Sequence, residues 1–280
     1  MTETDLLTAA IADLVRAALA EDLGAQGDIT SAAVILEGAQ LSAGMVAREP
    51  LVVAGMDVAA AVFRALDPGV RFALSVSDGG AARQGDVLCR VHGNARALLA
   101  GERSALNIVQ HLSGIATVTR RYVEAVTGTG AVLLDTRKTI PGLRVLDKYA
   151  VRMGGGTNHR MGLFDAVLIK DNHVAAAGGV GEAVRRAKAA GLAVEVEVDR
   201  LDQIEAALAA GADRLLLDNM GLGVLREAVA LVRGRVPTEA SGGVRLETVR
   251  AIAETGVTYV SVGRLTQSAP AVDIGLDWAG

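Results

Sequence analysis

The run AVEVEVDRLDQIEAALAAGADRLLLDN, residues 193–219, changes its period twice. AVEVEVD, residues 193–199, alternates Val with Glu, the period-2 pattern of a strand. LDQIEAALAAG, residues 201–211, is spaced as an amphipathic helix and ends in the glycine that a helix C-terminus prefers. RLLLDN, residues 214–219, is a second apolar run. Strand, helix and strand in this order are a parallel β/α unit.

The same texture extends outward from about residue 130. AVLLD (131–135), DAVLI (165–169), PTEAS (237–241) and YVSVG (259–263) read as strands. VGEAVRRAKAAG (180–191), GVLREAVALVRG (223–234) and LETVRAIAETG (246–256) read as helices. Six or so units in roughly 145 residues fit a barrel, complete or partial, better than an open doubly wound sheet. No G-x-G-x-x-G turn follows a strand, which removes the dinucleotide fingerprint. Upstream, residues 1–24 read as a helix closed by Gly24. Residues 40–100 carry short apolar segments broken by turn signals, the pattern of short strands in a small α+β domain. Residues 95–126 read as a helix bridging into the next domain.

Composition narrows the function. The chain has 280 residues, a net charge of −4, 51% hydrophobic residues and only 2% aromatics. Ala, Val, Leu and Gly must therefore fill the core. An acidic balance argues against nucleic acid or an anionic membrane as the main partner. The single cysteine, Cys89, cannot form a disulfide within the chain, which makes a reducing cytoplasm the default. It reads as a small buried apolar side chain. The four histidines contain no His-x3-His pair. The acidic N-terminus lacks the basic start of a signal peptide, and no apolar run reaches the roughly 18 residues of a membrane span.

In parallel β/α folds the chemistry sits at the carboxyl ends of the strands. Here those ends carry Asp135, Arg137 and Lys138; Lys170; Glu195 and Glu197; Asp218 and Asn219; Ser241, Gly242 and Gly243; and Ser261 and Gly263. Arg137, Lys138, His159, Arg160 and Lys170 all fall at strand ends or in GGGTNHR (154–160), whereas Arg144, Arg152, Arg185, Arg186 and Lys188 fall on helices. Five cations converging on one rim make a cup for several negative charges: Arg suits carboxylates, Lys suits phosphate. Glycine-rich ends on the last two strands suit a phosphate held by backbone N–H groups, although such turns also occur for steric reasons. Period 2 puts Glu195 and Glu197 on one face of their strand. They fit either a structural ion pair or carboxylates that bind sugar hydroxyls, hydrated Mg2+ or a developing cation.

DTRKTIPGLRVLDKYAVRMGGGTNHRMGLFDAVLIKDNH, residues 135–173, closely resembles the core of the quinolinate phosphoribosyltransferase family. EDLGAQGDIT, GERSALNIVQHLSGIAT, AVEVEVD, LLLDNM, EASGG and YVSVGRLTQSA extend the likeness over nearly the whole chain in the right order. The resemblance implies an α/β protein: an N-terminal α/β sandwich domain over residues 1–112 and a C-terminal incomplete parallel α/β barrel over 113–269, with the tail 270–280 a candidate addition to the first. It implies a cytoplasmic, decarboxylating transferase. This joins quinolinate to phosphoribosyl pyrophosphate and yields nicotinate mononucleotide, pyrophosphate and CO2 in NAD biosynthesis. The expected cofactor is Mg2+. The expected assembly is a homodimer, with higher assembly left open.

By the same resemblance, Arg137, His159, Arg160 and Arg103 of the partner subunit grip the quinolinate carboxylates. Lys138 and Lys170 lie between quinolinate and pyrophosphate. Glu197 and Asp218 face the ribose and, through water, the Mg2+ side. Ser241, Gly242, Gly243, Gly263 and Gln267 hold the 5′-phosphate and ribose. The glycines at 154–156 then become a tight bend that aims His159 and Arg160. The family usually carries His at Gln267 and Ala at Arg264, so a charge lost at one position is available at the other. A barrel aldolase with Lys170 as Schiff-base nucleophile is the rival reading from another chemistry.

Overall fold

The computed structural model describes residues 2–279. In chain order its elements begin with α1 (Glu3–Leu23), α2 (Ile29–Val34), β1 (Gln40–Ala47), β2 (Leu51–Val52), α3 (Met56–Leu66), β3 (Arg71–Leu74), β4 (Ala81–Ala82), β5 (Val87–Asn94) and α4 (Ala95–Val126). They continue with β6 (Val132–Leu134), α5 (Arg144–Met153), β7 (Val167–Ile169), α6 (Asp171–Ala177), α7 (Val180–Ala189), β8 (Val194–Val198), α8 (Asp202–Ala209) and β9 (Arg214–Asp218). The last are α9 (Leu222–Val232), β10 (Thr238–Ser241), α10 (Leu246–Ala253), β11 (Tyr259–Ser261), α11 (Arg264–Gln267) and β12 (Ile274–Ala279).

Two compact units result: Met1–Arg120 with Thr139–Gly155 and Ser268–Gly280, and Arg121–Lys138 with Gly156–Gln267. In the first, an antiparallel sheet runs β12-β1-β5-β3. The C-terminal strand pairs along β1, Met45 opposite Leu276. Expected among the short strands of 40–100 but not itself a strand, Met56–Leu66 is a helix, because Met56, Val58, Ala59, Ala60, Val62 and Phe63 bury one apolar stripe. α4 crosses the expected boundary at 112/113 and continues to Val126. α5, expected beyond that boundary, packs with the first unit. A Cβ on Gly154, the residue that ends α5, would lie 2.5 Å from both the Ala116 carbonyl oxygen and Thr119 Cβ of α4. Arg120 Nε donates to the Gly154 carbonyl at 3.0 Å. Gly154, the first of the glycine run, thus serves close helix packing.

In the second unit six parallel strands run β7-β8-β9-β10-β11-β6 and stay open between β7 and β6, an incomplete barrel. Val194, Val196, Val198, Leu215 and Leu217 are buried on one face of β8 and β9. Buried stripes on the helices supply partners, Val180, Ala183 and Val184 from α7 and Ile204 and Ala207 from α8. Each fully buried Val, Leu or Ile contributes about 1.5–3 kcal/mol, so this layer fixes which strand face turns the other way. Among the described residues no helix is long and apolar enough to cross a membrane.

Candidate active site

Period 2 sends alternate residues of each strand to the face opposite that apolar layer. The side chains at the strand ends follow the sheet order around the rim. Lys170 follows β7, Glu197 lies on β8, Asp218 ends β9, Ser241–Gly243 end β10, Gly263 follows β11, and Arg137 and Lys138 follow β6. A pocket of about 700 Å3 opens here, lined among others by Arg137, Lys138, His159, Arg160, Lys170, Asp218, Ser241, Gly242, Gly243, Gly263 and Gln267. Glu197 is tied to it by Lys170, whose Nζ lies 2.7 Å from Glu197 Oε2. Arg103 is elsewhere. It lies exposed on α4 of the first unit, 3.2 Å from Glu102, and all lining residues of the pocket belong to the second.

The cationic side is anchored from beneath. Asp135, at the end of β6 and fully buried, accepts from Asn158 Nδ2 at 2.6 Å and from the His159 amide at 2.8 Å. Thr157 bridges to Leu134. Residues 157–160 are therefore held against β6. Arg160 Nη1 donates to the Ala166 carbonyl at 3.1 Å. Burial, and then the neighbouring Arg137, hold the Arg160 guanidinium below its ordinary value. Two guanidiniums that repel each other at the wall of a pocket favour an anion between them.

His159 lines the pocket and is also tied into the protein beside it. Its Nε2 faces Glu195 Oε2 at 3.1 Å and Glu239 Oε2 at 3.5 Å, while Nδ1 accepts the Arg160 amide at 2.7 Å. Both ring nitrogens thus meet protein groups, and the ring acts on the pocket through its charge and through Arg160. Burial alone would lower its pKa. Glu195 and Glu239 outweigh burial and push it up to about 9. Protonation at Nδ1 gives up the Arg160 hydrogen bond, and the ring then meets the Arg160 backbone by close packing. Burial raises Glu195, whereas in Glu239 the neighbouring His159 and Arg214 overcome burial and lower it.

The glycine ends of β10 and β11 leave bare backbone. Gly242 has φ +96°, and a Cβ there would lie 2.1 Å from Asn219 Oδ1 and 2.9 Å from the Asn219 nitrogen. A Cβ on Gly263 would lie 2.9 Å from Lys138 Cδ. Arg245, Arg264 and Gln267 line the same end. On the remaining strands Asp218 is raised by burial and then by Glu197, with Asn219 Nδ2 donating to it at 2.5 Å.

Two cationic edges, two adjacent glycine turns and two adjacent carboxylates define a barrel enzyme that handles a phosphorylated and multiply anionic substrate pair. Comparison with known proteins agrees in detail. The quinolinate phosphoribosyl transferase N-terminal domain matches residues 28–113 and its C-terminal domain residues 115–277. The chain belongs to that family. It is 50% identical over 272 residues to the nicotinate-nucleotide pyrophosphorylase (carboxylating) of Mycobacterium leprae, covering 95% of this chain and 96% of that protein. A Bacillus subtilis relative, described as probable for the same activity, is 45% identical, covering 92% of this chain and 89% of the other. The structure of the Francisella tularensis nicotinate-nucleotide pyrophosphorylase superposes with a TM-score of 0.93 at 41% identity, covering 100% of this chain and 98% of that one.

Two contributors are new relative to the sequence reading. Arg245 follows the glycine turn by two residues, a position that a turn-then-helix reading would have marked. Arg214 starts β9, where period 2 places it on the same face as Leu216 and Asp218.

Proposed function

We infer that the protein transfers phosphoribosyl from phosphoribosyl pyrophosphate to quinolinate with decarboxylation, giving nicotinate mononucleotide, pyrophosphate and CO2 in NAD biosynthesis. The rim order carries this reading. Cations occupy both open edges of the sheet, glycine turns occupy β10 and β11, and carboxylates occupy β8 and β9. A dicarboxylate fits the Arg137–Arg160 wall, a 5′-phosphate fits Ser241–Gly243 with Gly263, and ribose falls to Asp218 and Glu197.

The chemistry follows from those placements. The ring nitrogen of quinolinate attacks the anomeric carbon as pyrophosphate leaves. Asp218 and Glu197 stabilise the oxocarbenium character that develops on the ribose, and Lys138 and Lys170 stabilise the leaving group. Departure of the 2-carboxylate as CO2 leaves an electron pair on C2, which the positive charge of the adjacent quaternised nitrogen stabilises until a proton from water completes nicotinate mononucleotide. Arg137 and Arg160 hold the substrate in place through both steps, a proximity effect.

Asp218 and Glu197 are close enough for one to raise the other, a donor pair that fits a divalent cation approached through water. Mg2+ bound there supplies charge neutralisation to the pyrophosphate. The assembly in this reading is a homodimer in which Arg103 of the partner subunit completes the carboxylate grip. The exposure of Arg103 on α4 supports that role. The location in this reading is cytoplasmic, in keeping with a single cysteine that cannot form a disulfide within the chain.

The direct test is a coupled assay with quinolinate, phosphoribosyl pyrophosphate and Mg2+, read as nicotinate mononucleotide formed. Absence of product from folded protein overturns the reading. Trapping of a carbonyl substrate on Lys170 by borohydride would replace it with the aldolase.

A further inference from the structure

Two residues that line the pocket, His159 and Glu239, belong to a buried cluster that the reaction does not consume. Arg214 of β9 stands in register with Glu195 of β8, and two residues on, Leu216 stands opposite Glu239 of β10. Arg214 Nε is 3.3 Å from Glu195 Oε1, and its Nη2 is 3.0 Å from Glu239 Oε2. Its guanidinium carbon sits 3.7 Å from the centroid of the Tyr259 ring on β11. On the far side of the two carboxylates, His159 Nε2 completes the cluster at 3.1 and 3.5 Å. Four strands and the 157–160 loop therefore meet in one arrangement of two cations and two anions.

His159, Glu195 and Glu239 offer ligand atoms all within 4.8 Å of one another, a set that could hold a metal ion. Arg214 already supplies the cation between the two carboxylates. A metal ion there would face its charge, so the set is read as an ion cluster.

Such a cluster is poor evidence for stability, since desolvating four charges offsets most of what their pairing gains. What it supplies is orientation. Glu195 and Glu239 leave the His159 ring one position, the His159 ring meets the Arg160 amide, and Arg160 bears on the carboxylate wall. Arg214 fixes both glutamates at once, because its planar fork reaches two carboxylates while its face stacks on Tyr259. We propose that Arg214 is a positioning residue for the dicarboxylate end of the pocket, acting through Glu195 and Glu239 on His159 and Arg160. This rests on the quinolinate reading above, and it predicts selective damage: the carboxylate end loosens, while the glycine ends of β10 and β11 keep their geometry through backbone hydrogen bonds that do not involve Arg214, Asn219 N to Ser241 O and Val262 N to Leu134 O, both at 2.9 Å.

The experiment compares wild type with Arg214→Gln and Arg214→Lys. Calorimetry measures binding of phthalate, a dicarboxylate that cannot react, and of phosphoribosyl pyrophosphate. Steady-state assays give both KM values and kcat. Arg214→Gln should weaken phthalate binding and raise the quinolinate KM by about tenfold or more, the loss of one charge-assisted contact, with phosphoribosyl pyrophosphate binding within about twofold of wild type. Arg214→Lys keeps the charge but loses the fork and should fall between the two. If Arg214→Gln does not fold, Arg214→Lys carries the same split. Equal losses for both ligands, or unchanged phthalate binding in folded variants, would overturn the proposal. Phthalate and phosphoribosyl pyrophosphate binding are read without turnover. A wild type that binds phthalate yet forms no nicotinate mononucleotide sinks the activity and leaves the positioning role to be judged on its own split.

Discussion

At the scale of single residues, charge geometry decides specificity. Arg137 and Arg160 line the same pocket close enough for Arg137 to lower Arg160, and a bidentate fork there is not replaceable by a point charge. Arg137→Lys should raise the quinolinate KM by about one to two orders of magnitude, the equivalent of about 1.5–3 kcal/mol. An unchanged KM in steady-state assays would remove Arg137 from the grip. His159 sets a pH dependence of stability. Its folded pKa lies near 9, above the ordinary 6.5. A group raised on folding contributes stability that is fully present below its unfolded value and is lost as pH rises through its folded one. Denaturant melts of wild type should therefore fall relative to His159→Gln between pH 6.5 and 9. A constant difference across that window would contradict a protonated His159. Glu195 and Glu239 face the ring, and Arg214 pairs with both, so these groups move the midpoint together.

At the scale of elements, two glycines carry constraints that only their neighbours explain. Gly242, at φ +96° and within 2.1 Å of Asn219 Oδ1 if given a Cβ, cannot change without moving the β10 turn. Gly242→Ala introduces strain of about 1–3 kcal/mol and should raise the phosphoribosyl pyrophosphate KM at least about tenfold with little change for phthalate binding. Equal KM values would take the β10 turn out of the phosphate site. Gly154 lies in the other unit, and its constraint is packing. Gly154→Ala should lower thermal stability by about 1–3 kcal/mol, as overpacking does, and a variant as stable as wild type would show that α5 and α4 can separate. The VEVEV strand shows how one element serves two ends. Glu195 is buried in the ion cluster while Glu197 reaches Lys170 at the rim. The ion-pair reading holds for Glu195, and Glu197 also pairs with a cation, at the rim of the pocket.

At the scale of the whole molecule, the open question is how Arg103 reaches a site. Every lining residue of the pocket comes from the second unit, and Arg103 lies exposed in the first. If each chain lends it to a neighbour, two inactive variants should rescue each other. Mixed under conditions of subunit exchange, Arg103→Ala and Lys138→Ala give heterodimers with one intact composite site, so activity should recover to about one quarter of wild type per site. Verified exchange without recovery would mean that each chain completes its own site. Substrate choice is read at the same scale. Nicotinate lacks the 2-carboxylate and leaves cations unpaired, so it should be turned over poorly while phthalate competes with quinolinate. Efficient use of nicotinate without phthalate inhibition would contradict the dicarboxylate site.

The alternation of periods from residue 130 determined a parallel β/α unit by itself, because strand and helix periods are local properties of the chain. It also placed Arg137, Lys138, Lys170, Asp218 and the β10 and β11 glycines at strand ends, since chemistry there depends only on where each strand stops. Three things needed the tertiary structure. Met56–Leu66 is apolar enough to read as strand or helix, and only its buried stripe selects the helix. The glycines at 154–156 read as a tight bend, and only the contact of α4 with Gly154 shows that close helix packing requires the glycine there. Arg214 and Glu239 are far apart in sequence, and the register of β8, β9 and β10 alone brings them to His159. Register between parallel strands is set by packing across the whole sheet. The sequence therefore marks Glu195 as a candidate for an ion pair, and only the register of the sheet shows that Arg214 and His159 are its partners, shared with Glu239.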